Sequence, residues 1–542
     1  MQNQRNGRYG QGNRPGDFQM VDIQKEYEQD MLNAQIAMEQ QEALMQQEYL
    51  AQQQYLEQQY LEQQRIWQEA MEENARQYAA QMPSMHDVTA VSLEGNIENQ
   101  YAGTGAPRQP IIPKEVFDSR SRQMITAMQG FTDRKVLLVN TVCGTGSVGR
   151  LVAGLYRTLE EHGYECLVAY GRGEAPKDIR AYRIGTDFDM YVHGGLSRLY
   201  DRHGFFSRRA TEDFIDMVMQ YNPDIIHLHN VHGYYLNLEV LFEYLRKCGK
   251  KIIWTLHDCW TFTGHCSHFE YIGCNKWLNG CFKCEQLKEY PKSIGADNSR
   301  QNYIDKRRLF TGIPNLTIVT PSEWLEDKVR QSFLREYPTV VVPTGIDLNQ
   351  FYPYAETTAD DNLIFQIRNT LAIRNKIVLL GVANPWRERK GLSQFSILKK
   401  ALSDRYVIIL VGLTDKQVQA LPEGMIGITR TDSVEELAAL YSMADIYVNL
   451  TLEDTFPTTN LEALACGTPV VTYKAGGSPE SLDETCGEVV DRNSVQGVVA
   501  AIEKILASRS QNYTMEDCVR RAQLYSKEYR FLEYIQHVYE AL

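Results

Sequence analysis

Glu453-Asp-Thr-Phe-Pro-Thr-Thr-Asn-Leu-Glu462-Ala-Leu-Ala-Cys-Gly-Thr-Pro-Val-Val471 is the most informative stretch of the chain. Its acidic residues lie on either side of a loop and a predicted helix start. A Gly-Thr-Pro turn then leads into a β-branched strand. Carboxylates spaced across the start of a helix can each accept paired hydroxyl groups, and the free N–H groups between them favour a diphosphate. The stretch therefore predicts a binding site for a ligand that carries both hydroxyls and phosphates.

Short apolar strands alternate with helical stretches on both sides of this site. Such an alternation predicts an α/β fold with two doubly wound, Rossmann-like parallel sheets, and ligands of these sheets bind at the carboxyl edges of the strands. The predicted strands of the first series are Lys135–Asn140, Cys166–Tyr170, Asp224–His229, Lys251–Leu256, Thr317–Thr320 and Val340–Val342. Those of the second series are Lys376–Val382, Tyr406–Val411, Gly427–Thr429, Asp445–Asn449 and Pro469–Thr472.

A chain of 542 residues is too long for a single core. Composition divides it into six segments. These are 1–21, predicted to be disordered; 22–82, a Gln-rich long helix; 83–130, a linker; 131–343, an N-terminal Rossmann-like domain; 344–512, a C-terminal Rossmann-like domain; and 513–542, a C-terminal helix.

The Gln-rich segment carries apolar pairs that do not form a heptad repeat. The pairs are Tyr49/Leu50, Tyr55/Leu56, Tyr60/Leu61 and Ile66/Trp67. Their average spacing advances about one and a half turns of helix, so successive pairs lie on nearly opposite faces. This favours a helix packed from two sides in a bundle or coiled coil, through self-association or with a helical partner. A solitary, partly formed helix is the alternative.

Charge and cysteine usage limit the partners and the compartment. The formal net charge of −13 argues against a nucleic-acid partner. Eleven cysteines and an N-terminus without an apolar signal core favour a reducing, cytoplasmic setting. Because no apolar run approaches the length of a membrane span, any membrane contact is expected to be peripheral, at the surface.

The 453–471 stretch resembles the paired-acid motif of the retaining glycosyltransferases of family four, the glycosyl transferases group 1, which have the GT-B fold. That family spaces its two acids eight positions apart, which fits Asp454 and Glu462. The first acid is usually Glu, so either Glu453 or Asp454 is expected to contact the sugar. The resemblance places Glu462 on the donor ribose and Asn460 in the same donor site. Acids that merely cap a helix are the alternative.

Further stretches resemble the same family. Pro343–Phe351 is similar to its interdomain segment, and Trp386-Arg-Glu-Arg-Lys390-Gly391 to the loop whose Lys meets the donor phosphates. The usual Arg position holds Pro385, so Arg387 or Arg389 must substitute if an Arg acts. Cations there would neutralise the leaving diphosphate without a catalytic metal. A solvated charge run is the alternative.

Two motifs of the first series are expected to face the acceptor. The glycine-rich turn around Gly146 follows the first strand, and its exposed N–H groups favour an anionic or hydroxyl-rich partner. A packing turn without a ligand is its alternative. Thr255-Leu-His257-Asp258 resembles the family's sugar-facing histidine, whereas a core histidine satisfied by the backbone is the other interpretation.

A cysteine cluster follows His257. Cys266, Cys274 and the Cys281-x-x-Cys284 pair could supply four thiolates to a structural zinc. Free thiols are the main alternative, and disulfides are disfavoured in a cytoplasmic protein.

The resemblance implies a glycosyltransferase that moves a sugar, with retention, from a nucleotide-diphosphate sugar, UDP- or GDP-linked, to an acceptor hydroxyl. The expected acceptor is a sugar or a lipid-linked glycan in polysaccharide or glycoconjugate synthesis. A nucleotide-sugar epimerase is the nearest enzymatic rival. A catalytically inactive GT-B scaffold that binds partners through its N-terminal helix is the rival from another class.

Overall fold

The computed structural model describes residues 134–355, 362–373, 375–509 and 511–540. The predictions for segments 1–21, 22–82 and 83–130 lie outside these residues. In the part of the chain that is described, no helix combines the length and the apolar character needed to cross a bilayer.

The first sheet has seven strands in the order β3-β2-β1-β4-β5-β6-β7, and every neighbouring pair is parallel. The central strands are runs of fully buried Val, Leu and Ile, because helices cover both faces of the sheet. Its strands are β1 Lys135–Asn140, β2 Glu165–Tyr170, β3 Ala181–Arg183, β4 Ile225–Leu228, β5 Lys251–Thr255, β6 Leu316–Thr320 and β7 Thr339–Val341. Its helices are α1 Gly146–Glu161, α2 Asp187–Tyr200, α3 Arg208–Tyr221, α4 Leu238–Lys247, α5 Ser299–Phe310 and α6 Glu323–Gln331.

The second sheet has six parallel strands in the order β10-β9-β8-β11-β12-β13. Its strands are β8 Ile377–Val382, β9 Tyr406–Val411, β10 Met425–Ile428, β11 Ile446–Asn449, β12 Val470–Tyr473 and β13 Gly487–Val490. Its helices are α7 Leu363–Thr370, α8 Leu392–Ala401, α9 Asp415–Gln419, α10 Val434–Met443, α11 Thr458–Ala465 and α12 Val495–Ser508.

These two sheets confirm the predicted fold class. The sequence analysis missed two strands, β3 and β13, which lie at outer edges and pair with one neighbour each. Ala181–Arg183 has only three residues and no fully buried side chain, and Gly487–Val490 begins with glycine. Neither forms the long apolar run that marks a central strand.

The end of the chain returns to the first sheet. After α13 Met515–Gln523 and α14 Lys527–Glu533, a π-helical turn covers Tyr534–Glu540. The Tyr539 hydroxyl lies 2.6 Å from Nδ1 of His227, and the Tyr534 hydroxyl lies 3.3 Å from the Thr255 hydroxyl. His227 is therefore a satisfied core histidine that joins the tail to the first sheet.

Direct hydrogen bonds join the facing edges of the two sheets. The Glu480 carboxylate accepts the backbone N–H groups of Glu323 and Trp324, both at 2.8 Å, at the start of α6. These contacts hold the carboxyl edges of the strands opposite each other.

Candidate active site

The functional side chains lie where strand order reverses in each sheet. In the first sheet the reversal is between β1 and β4, and in the second between β8 and β11. His229 follows β4 and Asp454 lies in the loop after β11. The crevice outside these strand ends is the usual ligand position in open parallel sheets. The topology thus brings together residues more than 200 positions apart.

Lys390 and Asp454 form an ion pair in the second half of the molecule, with about one fifth of each side chain exposed. Burial opposes ionisation of Asp454, yet the nearby charges of Lys390 and Arg389 outweigh it and lower the pKa of Asp454 to about 2. Arg389 is fixed by a hydrogen bond to the Glu453 carbonyl oxygen at 2.6 Å. Asp454 is therefore ionised at neutral pH and lies beside two cations.

Glu453 points away from this pair and is completely buried. Its carboxylate accepts three backbone N–H groups from the first half, those of Phe269 at 3.1 Å, Glu270 at 2.8 Å and Tyr271 at 3.1 Å. Burial raises the pKa of Glu453 to about 7, although the N–H donors act in the opposite direction. The two adjacent acids thus have different surroundings: Asp454 meets cations and Glu453 joins the two halves.

Glu462 lies on α11, half-buried. The Tyr441 hydroxyl donates to its carboxylate at 2.8 Å. Burial raises the pKa of Glu462, while Tyr441 and the charge of Arg150 lower it. Arg150 belongs to α1 of the first half, so Glu462 faces the glycine-rich turn from across the cleft.

Asn460, two residues earlier on α11, is fully buried. Its amide oxygen accepts a hydrogen bond from Asn449 at 2.7 Å, and its amide nitrogen donates to Ser481 at 2.9 Å. The side chain therefore ties the end of β11 to a neighbouring turn. A direct contact between Asn460 and the donor stays a prediction.

The other loop cation predicted for the donor site, Arg387, is about half exposed. Its guanidinium forms an ion pair with Glu289 of the first half at 2.8 Å. Arg387 thus reaches across the rim of the cleft, whereas Arg389 lies beside the Asp454–Lys390 pair.

His257 lies at the end of β5. Its Nε2 is 3.1 Å from Nδ1 of His229, the two rings are stacked, and its carbonyl oxygen accepts the Thr455 hydroxyl at 3.0 Å. Burial lowers the pKa of His257 to about 4, so its imidazole is neutral at pH 7. A neutral imidazole can donate one hydrogen bond and accept another, and it does not compete with the cations of the second half for a phosphate.

His268 lies close to the charged groups of the site, and no motif in the sequence singled it out. Burial and the charge of Arg389 lower its pKa to about 3, while the acids Asp258 and Asp454 on either side act in the opposite direction. Its Nδ1 lies 3.0 Å from the Ser267 hydroxyl. Only its position after a His-Asp strand end could have drawn attention to it.

A second group, also missed in the sequence, surrounds Asp258. The Asp258 carboxylate lies 3.1 Å from Nε2 of His232, whose Nδ1 lies 2.9 Å from the Tyr290 hydroxyl. Burial opposes ionisation of Asp258, but His232 outweighs it and the pKa of Asp258 falls to about 2. Tyr290 and His232 thereby add to the hydrogen-bonding groups that His257 and His268 provide in the first half.

Two helix starts face the cleft with free N–H groups. Among the described residues, no side chain caps α1 after Thr145 or α11 after Pro457, whereas the hydroxyl of Thr186 caps α2. Gly146, the first residue of α1, has φ +65°, and a Cβ built on it would meet no described atom within 4 Å. The turn is therefore open at Gly146, and both helix starts can accept a negative charge.

The four cysteines of the predicted zinc site are free thiols in the structure. The pKa values of Cys266 and Cys284 are shifted in opposite directions by the interaction between the two thiols, that of Cys266 upward and that of Cys284 downward to about 7. In the conformation seen, no three His, Cys, Asp or Glu side chains of the described residues already converge to hold a metal ion.

Comparison with known proteins identifies this architecture as that of a GT-B glycosyltransferase. Residues 148–350 match the family Glycosyltransferase Family 4, and residues 366–524 match Glycosyl transferases group 1. Together the two matches cover more than half of the chain, including the paired-acid stretch. The chain belongs to this glycosyltransferase family.

Individual relatives agree with this assignment. WcaC of Escherichia coli (strain K12), named as a colanic acid biosynthesis glycosyl transferase, is 23% identical over 418 residues, which is 74% of this chain and 98% of the relative. The GDP-mannose-dependent alpha-(1-6)-phosphatidylinositol monomannoside mannosyltransferase of Mycolicibacterium smegmatis is 31% identical over 185 residues, 31% of this chain. The chain spans 46% of that second relative.

Solved structures show the same fold. Sucrose-phosphate synthase from Thermosynechococcus elongatus aligns with a TM-score of 0.56 at 18% identity, over 75% of this chain and 99% of that one. Anabaena HepE in complex with UDP-glucose aligns with a TM-score of 0.52 at 15% identity, over 75% of this chain and all of that one.

Proposed function

We propose that the protein transfers a sugar from a nucleoside-diphosphate sugar to an acceptor hydroxyl with retention of the anomeric configuration. The observation that carries this proposal is the charged pair Lys390–Asp454 beside the uncapped start of α11, opposite neutral histidines. HepE has been solved with UDP-glucose, and the M. smegmatis relative is named for GDP-mannose. The expected donor is accordingly a UDP- or GDP-sugar.

The donor is expected to lie on the second half. Lys390 and Arg389 bind its phosphates, together with the free N–H groups of α11. Glu462 accepts the ribose hydroxyls. Asp454 accepts a sugar hydroxyl, and while no donor is bound it keeps Lys390 in place by the ion pair.

Glu453 and Asn460 act on the donor site through other groups. The Glu453 carboxylate already accepts three N–H groups, so it favours the closed position of the two halves. Asn460 positions the end of β11 through Asn449. Arg387 closes the rim through Glu289. Asp454 is therefore the sugar-facing acid of the pair that the sequence left open.

The acceptor is expected to approach the first half, between Gly146 and His257. Its hydroxyl oxygen forms a bond to the anomeric carbon on the face from which the diphosphate leaves, as the bond from that carbon to the phosphate oxygen breaks. The hydroxyl proton passes to the departing phosphate oxygen. Lys390 and the start of α11 stabilise the negative charge that develops there, while His257 orients the reacting sugar.

The names of the relatives support a proposed biological setting. A sugar or lipid-linked glycan of polysaccharide or glycoconjugate synthesis is the proposed acceptor, since WcaC is named for colanic acid. Such an acceptor would bring a cytoplasmic protein to the membrane surface. Segments 131–343 and 344–512 are the proposed acceptor and donor domains, followed by 513–542.

A donor screen tests the proposal. Purified full-length protein is combined with UDP-, GDP- and ADP-sugars, and thermal shift and nucleotide release are measured. The Asp454→Ala/Glu462→Ala variant should lose the response that the wild type gives to one donor class. Asp404→Ala/Glu423→Ala, which removes two exposed acids of the same half, is the matched control. A well-folded wild type that responds to no donor would instead favour the inactive scaffold.

A further inference from the structure

Three side chains at the carboxyl edge of the first sheet form a chain of polar contacts. The Asp258 carboxylate lies 3.1 Å from Nε2 of His232, and Nδ1 of His232 lies 2.9 Å from the Tyr290 hydroxyl. Asp258 follows the end of β5 and His232 follows β4, whereas Tyr290 lies 58 positions beyond His232. Tertiary structure alone therefore brings the three groups together.

The chain of contacts lies where the acceptor is expected. Asp258 immediately follows His257. The hydroxyl of Thr141, the residue after β1, donates to the His232 carbonyl oxygen at 2.5 Å. The glycine-rich turn begins two residues after Thr141. The three side chains thus connect the strand end that carries His257 with the strand end that carries the glycine-rich turn.

Tyr290 belongs to the rim of the cleft. Its neighbour Glu289 forms the ion pair with Arg387 of the second half at 2.8 Å. Tyr290 is partly exposed, whereas its ring packs against those of His203 and Tyr234, with centroids 5.6 and 6.4 Å away. The packed ring fixes the position of the hydroxyl, and part of the residue stays open to a ligand.

The carboxylate sets the direction of the hydrogen bonds in this chain. Asp258, whose pKa is lowered to about 2, is ionised at neutral pH and can only accept. Nε2 of His232 has no hydrogen-bond partner other than this carboxylate in the part of the chain that is described. Because a nitrogen lone pair 3.1 Å from a carboxylate oxygen would be repelled, Nε2 of the neutral ring carries the proton. Nδ1 then presents its lone pair, so the Tyr290 hydroxyl donates to it.

A tyrosine hydroxyl that already donates its proton can only accept from a ligand. Its oxygen keeps lone pairs, which suit a sugar hydroxyl that donates and do not suit an ether oxygen. In the proposed transfer the reacting hydroxyl gives its proton to the departing phosphate, which leaves Tyr290 for a hydroxyl that keeps its proton. A site built to bind a substrate hydroxyl discriminates against analogues that lack it.

We propose that Tyr290 accepts a hydrogen bond from a non-reacting hydroxyl of the acceptor sugar, and that Asp258, acting through His232, fixes this direction. Tyr290 thereby selects an acceptor in which this second hydroxyl is free and not alkylated or acylated. Asp258 and His232 are positioning residues. The inference rests on the proposed function, since it names the acceptor group that the first half recognises.

Nitrogen NMR tests the direction without any substrate. Full-length protein labelled with ¹⁵N-histidine is measured at about pH 8, where an ordinary imidazole is neutral. The His232 signals are identified by their loss in His232→Gln, and we expect a proton on Nε2 and none on Nδ1. In Asp258→Leu the proton should move to Nδ1, because Nε2 has lost its acceptor. A proton on Nδ1 of the wild type overturns the direction, and an unchanged ring in Asp258→Leu removes the role of Asp258.

Acceptor kinetics test the role of Tyr290. Octyl glycosides, each also prepared with single hydroxyls methylated, are combined with the donor class that the donor screen selects. Tyr290→Phe should raise the acceptor KM about 3–10-fold and leave kcat and the donor KM within about twofold, because one hydrogen bond to the acceptor is lost. For glycosides that bind without turnover, the Kd measured by calorimetry with UDP or GDP present replaces KM.

The methyl ethers locate the contact. At one position of the acceptor, wild-type protein should favour the free hydroxyl over its methyl ether, and Tyr290→Phe should lose this preference. Tyr191→Phe, at an exposed tyrosine of α2, is the matched control and should behave as the wild type. An equal acceptor KM in the two variants overturns the role of Tyr290. Wild-type protein that responds to no donor is instead a failure of the proposed function, and the NMR result stands apart from it.

Discussion

The two edges of the cleft differ in charge. In the first half, burial lowers the pKa of His257 to about 4 and contributes most to lowering that of His268 to about 3, so both rings are neutral at pH 7. In the second half, Asp454 is ionised and paired with Lys390. Lys390 and Arg389 therefore make the second edge the stronger site for a diphosphate, although the uncapped start of α1 in the first half can also accept a negative charge. The neutral edge can bind hydroxyl groups without competing with Lys390 for the phosphates.

Of the substitutions described here, removal of Lys390 should have the largest effect on transfer, because it takes a cation from the charged edge of the cleft. Lys390→Ala should lower kcat/KM for transfer by about 10²–10³-fold, because one charge that stabilises the leaving diphosphate is lost. Nucleotide release measures the effect. Lys400→Ala, an exposed cation on α8, is the control and should stay within about twofold of the wild type. A similar rate in both variants would show that Lys390 does not act on the phosphates.

Glu453→Gln should weaken the contact between the two halves while leaving the Lys390–Asp454 ion pair in place. The amide nitrogen of glutamine cannot accept an N–H, so at least one of the three buried donors would lose its partner, which costs about 1–3 kcal/mol of the stability of the closed state. That corresponds to a loss in the rate of transfer of about 5–160-fold. Glu336→Gln, at an exposed acid of the first half, is the control. Transfer equal to that of the control would mean that these hydrogen bonds do not limit closure.

His257→Ala should have a smaller effect. It should lower kcat/KM for the acceptor by about 2–10-fold, since one hydrogen bond between neutral groups is lost. Because its pKa is lowered to about 4, His257 becomes charged only as the pH falls through that value. The pH profiles of the wild type and of His257→Gln should therefore have the same shape between about pH 5.5 and 8. His162→Ala, outside the cleft, is the control. An ionisation near pH 6.5 that disappears in His257→Gln would contradict the neutral edge.

Tyr441→Phe should have the smallest effect. Its hydroxyl fixes the Glu462 carboxylate at 2.8 Å, so its loss should weaken donor affinity by about 2–5-fold and leave kcat nearly unchanged. Calorimetric titration of the donor measures this change. A large fall in kcat would mean that Glu462 acts on the reacting atoms and not on the ribose.

Much of the fold could be predicted because central parallel strands are continuous apolar runs. Lys135–Asn140 and Tyr406–Val411 have the bounds that the sequence indicated. The edge strands β3 and β13 could not be predicted in this way, because their pairing comes from neighbours and not from composition. The edge strand β7, which is rich in β-branched residues, could still be predicted, whereas β3 and β13 depend on the sheet that they join.

Site residues that belong to local motifs could be predicted from the sequence. Those that join the site only through tertiary contacts could not. Lys390, Asp454 and His257 lie at strand ends or turns that the sequence marks, and the structure brings them to one cleft. Nothing near His268 or Arg150 in the sequence reveals that each faces a residue of the other half. The different surroundings of Glu453 and Asp454 likewise depend on residues 269–271, far away along the chain.

The return of the chain's last helical turn also sets the order in which the protein can mature during synthesis. The His227 imidazole cannot form its hydrogen bond to Tyr539 until that residue has been translated, 312 residues later. At about 5–20 residues per second, this interval lasts about 15–60 s. During that time the first sheet lacks the hydroxyl that satisfies a buried imidazole and the apolar side chains that cover α1. The N-terminal half is therefore expected to remain on the ribosome as an incomplete domain, exposed to chaperones, until the C-terminal half has emerged.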